Sequence, residues 1–175
     1  MGLADLHRRL CDWQLLPTVS ENIRVQFETA RNLMLYAWFV LEFQRVAEMQ
    51  AYLSLELALR ERLGNLTRTK QTKKGLKVLP LMLGDLLSKA VSDGLIIPEK
   101  PPSWEWVKCL RERRARDMGM ALKPYTASEW LQTVKQRLPI DRNHLARGNL
   151  KLYFPYSFSQ LELCGDLINA LFTNP

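Results

Sequence analysis

The residues best suited to chemistry lie close together near the C-terminal end of the chain. Residues 141–144 (Asp-Arg-Asn-His) place four polar or ionisable side chains in a row, and Arg147 follows just before Gly148. Arginine and asparagine bind phosphate oxygens through several N–H donors, and histidine transfers protons near neutral pH. No periodic core pattern explains this density of polar groups, so we interpret the segment as a candidate site on a helix pressed against another surface.

The elements that would position this segment are predicted from caps and breaks. Residues 126–129 (Thr-Ala-Ser-Glu) form a capping box, which predicts a helix through Leu138. Pro139 suits the first turn of a helix, so we expect a separate helix to carry residues 141–147 until Gly148 ends it. The candidate site would then lie on a short helix of its own.

A long helical segment supplies the surface for that site to pack on. Residues 21–63 contain neither Gly nor Pro, which predicts one very long helix or two helices joined by a bend. On an unbroken helix Glu42, Glu56 and Arg60 would lie within about 40° of one another around the axis. Glu56 and Arg60 are four residues apart and can pair, and we favour an ordinary ion pair over a catalytic role.

The rest of the chain predicts further helices and one basic loop. Apolar spacing predicts helices over residues 3–13, 79–91, 104–116 and 161–172. Residues 67–75, with Lys77, are expected to be a loop, which is either simply solvated or an arm that contacts phosphate. Because no alternating strand pattern is evident, we predict an all-α fold, an up-and-down helical bundle with one or two extra connecting helices.

Composition narrows the class of protein. The 175 residues are 47% apolar, enough for one core, so we expect a single domain over residues 1–175. No apolar run approaches the ~20 residues of a bilayer span, and the N-terminus lacks a secretory pattern, so we expect no membrane and a cytoplasmic protein. Cys11, Cys109 and Cys164 are widely spaced without a CxxC pair, which favours neither disulfides nor zinc. The net charge of +7 suits nucleic acid or acidic proteins but is also common in domains that bind neither.

Several segments together resemble the HEPN superfamily. Residues 142–148 (Arg-Asn-His-Leu-Ala-Arg-Gly) resemble its signature, an Arg followed by a polar residue, three more residues and then His, commonly RNxLAHG. Residues 51–60, which contain Glu56, are similar to the long helix that carries the acidic residue of the family. Residues 83–87 and 167–172 are similar to its flanking helices. The resemblance covers most of the chain except residues 98–125, which resemble an insertion.

The resemblance implies a HEPN-like ribonuclease of a toxin-antitoxin or phage-defence module. Such proteins cleave RNA without metal or cofactor, use the ribose 2′-hydroxyl as nucleophile, and form homodimers whose two motifs line one cleft. Arg142 would hold the scissile phosphate, and Asn143 would fix a phosphate oxygen or orient a neighbour. The His expected at position 147 would move the proton. RNA and an antitoxin or regulatory protein are therefore the expected partners.

The chain departs from the family pattern at the proton-transfer position. Arg147 replaces the His, and arginine cannot lose its proton near neutral pH, so it cannot be a general base. His144 is the only nearby imidazole and points about 60° away from Arg147 around a helix. Three explanations remain open: a natural non-catalytic member, a substitution that disarmed a toxic nuclease, or cleavage by electrostatics alone. Asn149 stands where some members carry a Tyr for nucleotidylation, so that mode of silencing is not expected.

The candidate site residues are therefore Arg142, Asn143 and Arg147, with no metal or cofactor, and whether the chain is an enzyme is left open. One alternative is a non-enzymatic helical interaction or dimerisation module. Another is a structural arrangement in which Arg142 and Arg147 pair with Asp141 and Glu56.

Overall fold

The computed structural model of the protein describes residues 2–72, 75–97, 101–121, 125–148 and 159–173. Helices dominate these ranges: α1 (Leu3–Asp12), α2 (Glu21–Tyr36), α3 (Phe43–Leu63), α4 (Leu83–Ser92), α5 (Pro102–Asp117), α6 (Ala127–Ala146) and α7 (Ser159–Thr173). Strands β1 (Thr67–Thr72) and β2 (Gly75–Pro80) form a two-stranded antiparallel sheet. The fold is broadly all-α, and no helix in the described ranges is long and apolar enough to cross a membrane.

The segment 21–63 is two helices joined by a bend. Residues 38–40 (Trp-Phe-Val) form a turn between α2 and α3, in which the backbone N–H of Val40 donates to the carbonyl of Tyr36 over 3.1 Å. Aromatic and β-branched residues have weaker helix propensity than the Ala, Leu and Glu around them. The break precedes Glu42, which is the N-cap of α3 and has helical backbone angles (φ −59°, ψ −27°), so the bend does not separate Glu42 from Glu56 and Arg60.

Helix α3 is the centre of the packing. It contacts α2, α4, α6 and α7, and its buried apolar side chains include Ala47, Ala51, Leu55, Ala58 and Leu59. Helix α7 packs closely on α2 because Gly165 lacks a side chain. A Cβ at Gly165 would lie 2.9 Å from Cζ of Phe27, closer than packed carbon atoms approach.

Helix α6 corrects the prediction of a separate helix after Pro139. It runs unbroken from Ala127 to Ala146 with Pro139 inside it. Proline there has no N–H to donate to the carbonyl of Lys135, which ordinarily costs about 3 kcal/mol. The proline ring packs against Gly84 of α4, where a Cβ would lie 3.1 Å from Cγ of Pro139. Packing of α4 on α6 therefore offsets the local preference for a break, and the motif lies in the last two turns of a long helix.

The hairpin corrects the prediction of a loop followed by a helix from residue 79. Residues 67–72 and 75–80 are strands, and α4 begins only at Leu83. Thr and Val favour extended backbone. Gly75 adopts a φ of 108°, which residues other than glycine rarely adopt. Asp85 then caps α4 by accepting a 3.2 Å hydrogen bond from the backbone N–H of Met82.

Candidate functional site

A polar stripe winds along α3 and meets α6 from Glu48 to Glu56. It consists of residues spaced four apart: Gln44, Glu48, Tyr52, Glu56 and Arg60. Successive members of the stripe are neighbours on the helix surface, and the stripe turns by about 40° around the axis at each step. The stripe is a feature of α3 itself, and α6 supplies the groups that meet it.

Glu56 is the centre of the most tightly paired part of this stripe. Its Oε1 accepts a 2.7 Å hydrogen bond from Nη2 of Arg60, and its Oε2 lies 3.5 Å from Nη2 of Arg142. The side chains of Glu56, Arg60 and Arg142 are 15%, 24% and 23% exposed. We call these three residues the Glu56 cluster, and it joins α3 to α6 through charge pairs that are mostly removed from water.

Arg142 is held inward by this cluster and by its neighbour. Its Nη1 donates a long hydrogen bond, 3.5 Å, to Oδ1 of Asn143. Its Nε is buried and has no hydrogen-bond partner among the described residues. The predicted structural pair of Arg142 with Glu56 is therefore present, yet the guanidinium keeps donor capacity that the pair does not use.

Two carboxyl groups lie further along the same interface. Burial raises the pKa of Glu48, while a hydrogen bond from Gln44 and the charge of Arg45 lower it and Asp141 raises it. Burial likewise raises the pKa of Asp141, against the charges of Arg137 and His144. Burial, with Cys164, Asp141 and Glu48 nearby, also raises the pKa of Tyr52. Asp141 therefore faces α3, whereas the outer part of the motif points elsewhere.

The end of α6 presents the exposed part of the motif. Asn143, His144 and Arg147 are exposed, and we call them the α6 terminus. Arg147 is the C-cap of α6, directly after the last helical residue, and its backbone N–H donates to the carbonyls of Asn143 and His144 over 3.2 Å each. Gly148 follows with a φ of 70°, which ends the helix.

A small cavity lies beside the α6 terminus. Its volume is about 240 Å³, and it is lined by Arg45, Val46, Met49, Leu145 and Gly148. Because residue 145 lies near residues 45–49 while residue 142 lies near residue 56, α6 runs antiparallel to α3 here. The cavity thus opens where the start of α3 meets the end of α6.

The arrangement fits anion binding better than proton transfer. Arg147 is permanently charged, exposed, and without an ion pair to the residues that the structure describes. His144 is the one imidazole of the motif, and it also faces solvent. Within the described ranges, no group of three or more His, Cys, Asp or Glu side chains is arranged to hold a metal ion.

Sequence reasoning missed two features of the surroundings. One is the set of Gln44, Glu48 and Tyr52, which the four-residue spacing from Glu56 would have shown. The other is the hairpin, whose β1 alternates Thr with basic residues and whose β2 alternates Leu76 and Val78 with Lys77. That period of two is typical of a strand, but basic side chains at the alternate positions made the segment look like a solvated loop.

Comparison with known proteins adds no relative. No family model, no curated protein and no solved structure matches this chain. The resemblance of residues 142–148 to the HEPN signature therefore remains an expectation from the motif and its order after Glu56.

Proposed function

We propose that this chain is a HEPN-like RNA-binding protein of a toxin-antitoxin or phage-defence module, related to metal-independent endoribonucleases but impaired in cleavage by Arg147. The observation that carries the proposal is the contact between Arg142 of α6 and Glu56 of α3. The resemblance expects an acidic residue on the long helix and an Arg on the later motif helix. Their contact supports a shared site over two unrelated local motifs.

Phosphate binding is supported by the charge and exposure of the α6 terminus. Arg147 offers a planar set of N–H donors that matches two phosphate oxygens, and Asn143 adds an amide donor four residues earlier on the same face. Arg142 lies beneath them, where its charge strengthens the positive field even while Glu56 holds it. The net charge of +7 favours a polyanionic partner over a neutral one.

Weak or absent cleavage follows from the residue at position 147. A proton must leave the ribose 2′-hydroxyl and another must reach the leaving oxygen, and a permanently protonated guanidinium performs neither transfer. The exposed His144 is offset by about 60° from Arg147 around the helix, so it does not stand where the family's His would. The site therefore binds RNA and stabilises charge on phosphorus without the proton transfer that cutting requires.

The assembly that we infer is a homodimer of up-and-down bundles in the cytoplasm, with an antitoxin or regulatory protein as a further partner. Support for the dimer comes from exposed apolar side chains at the turn between α2 and α3 and on the start of α3: Tyr36, Phe39, Val40, Phe43 and Val46. Val46 also lines the cavity beside the α6 terminus. Exposed apolar patches mark interaction surfaces, and pairing here would bring two motifs to one cleft.

The same apolar surface favours a second candidate function, a non-enzymatic interaction or dimerisation module. In that case the Glu56 cluster is only a pair that fixes α6 on α3, and RNA is not a ligand. The two candidates differ in what salt does to RNA affinity, because phosphate contacts release counterions and protein docking does not.

The experiment is a titration of single-stranded RNA by fluorescence anisotropy over a range of salt concentrations. We expect affinity that falls steeply with salt, and we expect Asn143→Ala with Arg147→Gln to lower the slope of log K against log salt by about 0.7, the value of one phosphate contact. Arg8→Gln, which removes one exposed charge on α1, is the matched control and should leave the slope unchanged. RNA affinity that is absent or insensitive to salt would favour the interaction module.

A further inference from the structure

The hairpin has two chemically different faces. In the register of β1 and β2, Arg68 pairs with Leu79, Lys70 with Lys77, and Thr69 with Val78. Directly paired residues point to the same face of a sheet, and the face alternates along each strand. Lys70 and Lys77 therefore share one face with Arg68, while Val78 lies on the opposite face.

The basic face brings two ammonium groups together without a partner on the described chain. Lys70 and Lys77 lie directly opposite each other, both are exposed, and no described acidic side chain pairs with either. Like charges at directly opposed positions destabilise a hairpin. An anion between them would convert this repulsion into attraction. The sequence adds Lys73 and Lys74 between the two strands, outside the described residues.

The base of the hairpin is fixed to the helices. Nη1 of Arg68 lies 2.9 Å from Oδ2 of Asp85 on α4, and the backbone N–H of Leu81 donates to the carbonyl of Leu66 over 3.0 Å. Nη2 of Arg60 donates to the carbonyl of Leu81 over 3.0 Å. Because Arg60 also pairs with Glu56, a chain of polar contacts joins the hairpin base to Arg142.

Away from this base the hairpin is open on both faces. Leu76 and Val78 are 74% and 63% exposed, whereas Leu79 near the base is partly buried. A two-stranded ribbon without further packing is only marginally stable in water. Such a ribbon gains order when a ligand bridges its strands, and the paired lysines select a ligand that is negatively charged.

We propose that the hairpin is a second RNA-binding element, in which Lys70 and Lys77 contact phosphates and Arg68 orients the ribbon from its base. The inference rests on the proposed function, because RNA is the anionic partner proposed for the α6 terminus of the same chain. It adds a binding site outside the motif. The α6 terminus lies beside the start of α3 and the hairpin follows the end of α3, so the two elements would contact separate parts of one RNA strand.

The test compares full-length variants in RNA binding at several salt concentrations. Lys70→Gln with Lys77→Gln should lower the slope of log K against log salt by about 1.4, the value of two phosphate contacts on a single strand. Lys70→Arg with Lys77→Arg should keep the slope of the unsubstituted protein. Two matched controls should also keep it: Leu76→Thr with Val78→Thr on the opposite face, and Arg8→Gln with Arg24→Gln, which removes the same charge from exposed positions on α1 and α2.

The outcomes separate this inference from the proposed function. If the unsubstituted protein binds RNA and the α6-terminus variant weakens binding while the Lys70/Lys77 double variant does not, the proposed function stands and the hairpin proposal is overturned. If only the hairpin variant weakens binding, the hairpin is supported and the motif is not the RNA site. Loss of binding by the hairpin variant to vesicles containing phosphatidylserine, with RNA binding intact, would assign the ribbon to membranes and overturn the proposal.

Discussion

Helix α3 and the hairpin follow each other directly in the chain, yet their charges lie in opposite environments. On α3, Glu56 is mostly buried and accepts contacts from two arginines. On the hairpin, Lys70 and Lys77 are exposed and face each other. At these two places, opposite charges are paired in a mostly buried interface and like charges face each other on the surface.

This difference separates charges that hold the fold from charges that are free to meet a ligand. Removing the partners of a mostly buried carboxylate lowers the free energy of unfolding by several kcal/mol. The Glu56 cluster is therefore needed to hold α3 and α6 together. Exposed lysines contribute little to the stability of the fold. Their main contribution is to the affinity for an external anion. Arg147 belongs to the second kind, whereas Arg142, five residues earlier, pairs with Glu56 and keeps donors that this pair does not use.

Of the changes that test this difference, Glu56→Gln should have the largest effect on stability. This change leaves Arg60 and Arg142 without their counter-charge while keeping the shape of the side chain, and we expect the free energy of unfolding to fall by about 2–3 kcal/mol. Urea denaturation followed by circular dichroism measures it. Asp117→Asn is the control, because Asp117 lies 3.9 Å from Arg113 and both are exposed, and it should change stability by less than about 0.5 kcal/mol. Equal effects of the two changes would mean that the Glu56 cluster contributes no more than a surface pair.

A smaller effect should appear in the dependence of stability on pH. Burial raises the pKa of Glu48 above 4.5, so the folded protein binds this proton more tightly than the unfolded chain does. The resulting stability is present below the unfolded pKa and is lost as pH rises through the folded one. We therefore expect the stability of the protein relative to Glu48→Gln to decrease from about pH 4.5 towards neutrality, as measured by urea denaturation at each pH.

Glu129 is the control, because its effect on stability should change with pH in the opposite direction. Hydrogen bonds from the backbone and side chain of Thr126 lower the pKa of Glu129, so its contribution is present above the unfolded pKa and is lost as pH falls through the folded one. Glu129→Gln should therefore matter most near neutral pH and least in acid. Profiles for Glu48→Gln and Glu129→Gln that ran in the same direction would contradict the burial of Glu48.

The helices were largely predictable because their determinants are local. The capping box at Thr126 and Glu129 is present, with reciprocal hydrogen bonds of 2.8 Å and 3.1 Å, and α6 begins where the sequence predicted. The pair of Glu56 with Arg60 followed from four-residue spacing alone. In both cases the interacting groups are separated by about one helical turn, so their spacing in the sequence is enough to predict that they are close in space.

Long-range packing explains what could not be predicted. Pro139 predicts a break, and only the contact with Gly84, which is distant in sequence, explains why α6 continues. The contact of Arg142 with Glu56 depends on how two helices dock, so the sequence offered it only as one structural alternative and periodicity could not establish it.

The most direct measurement of the central claim is RNA cleavage by the protein, by Arg147→His, and by Arg147→His combined with Arg142→Ala or Arg142→Lys, each checked for folding by circular dichroism. The account predicts little cleavage by the protein itself and a gain of about 100-fold or more with Arg147→His, the range of general acid–base catalysis. The gain should be lost when Arg142 is replaced. If Arg147→His gives no cleavage, or gives cleavage that does not depend on Arg142, the assignment of residues 142–147 as a disarmed RNA-cleaving motif is contradicted.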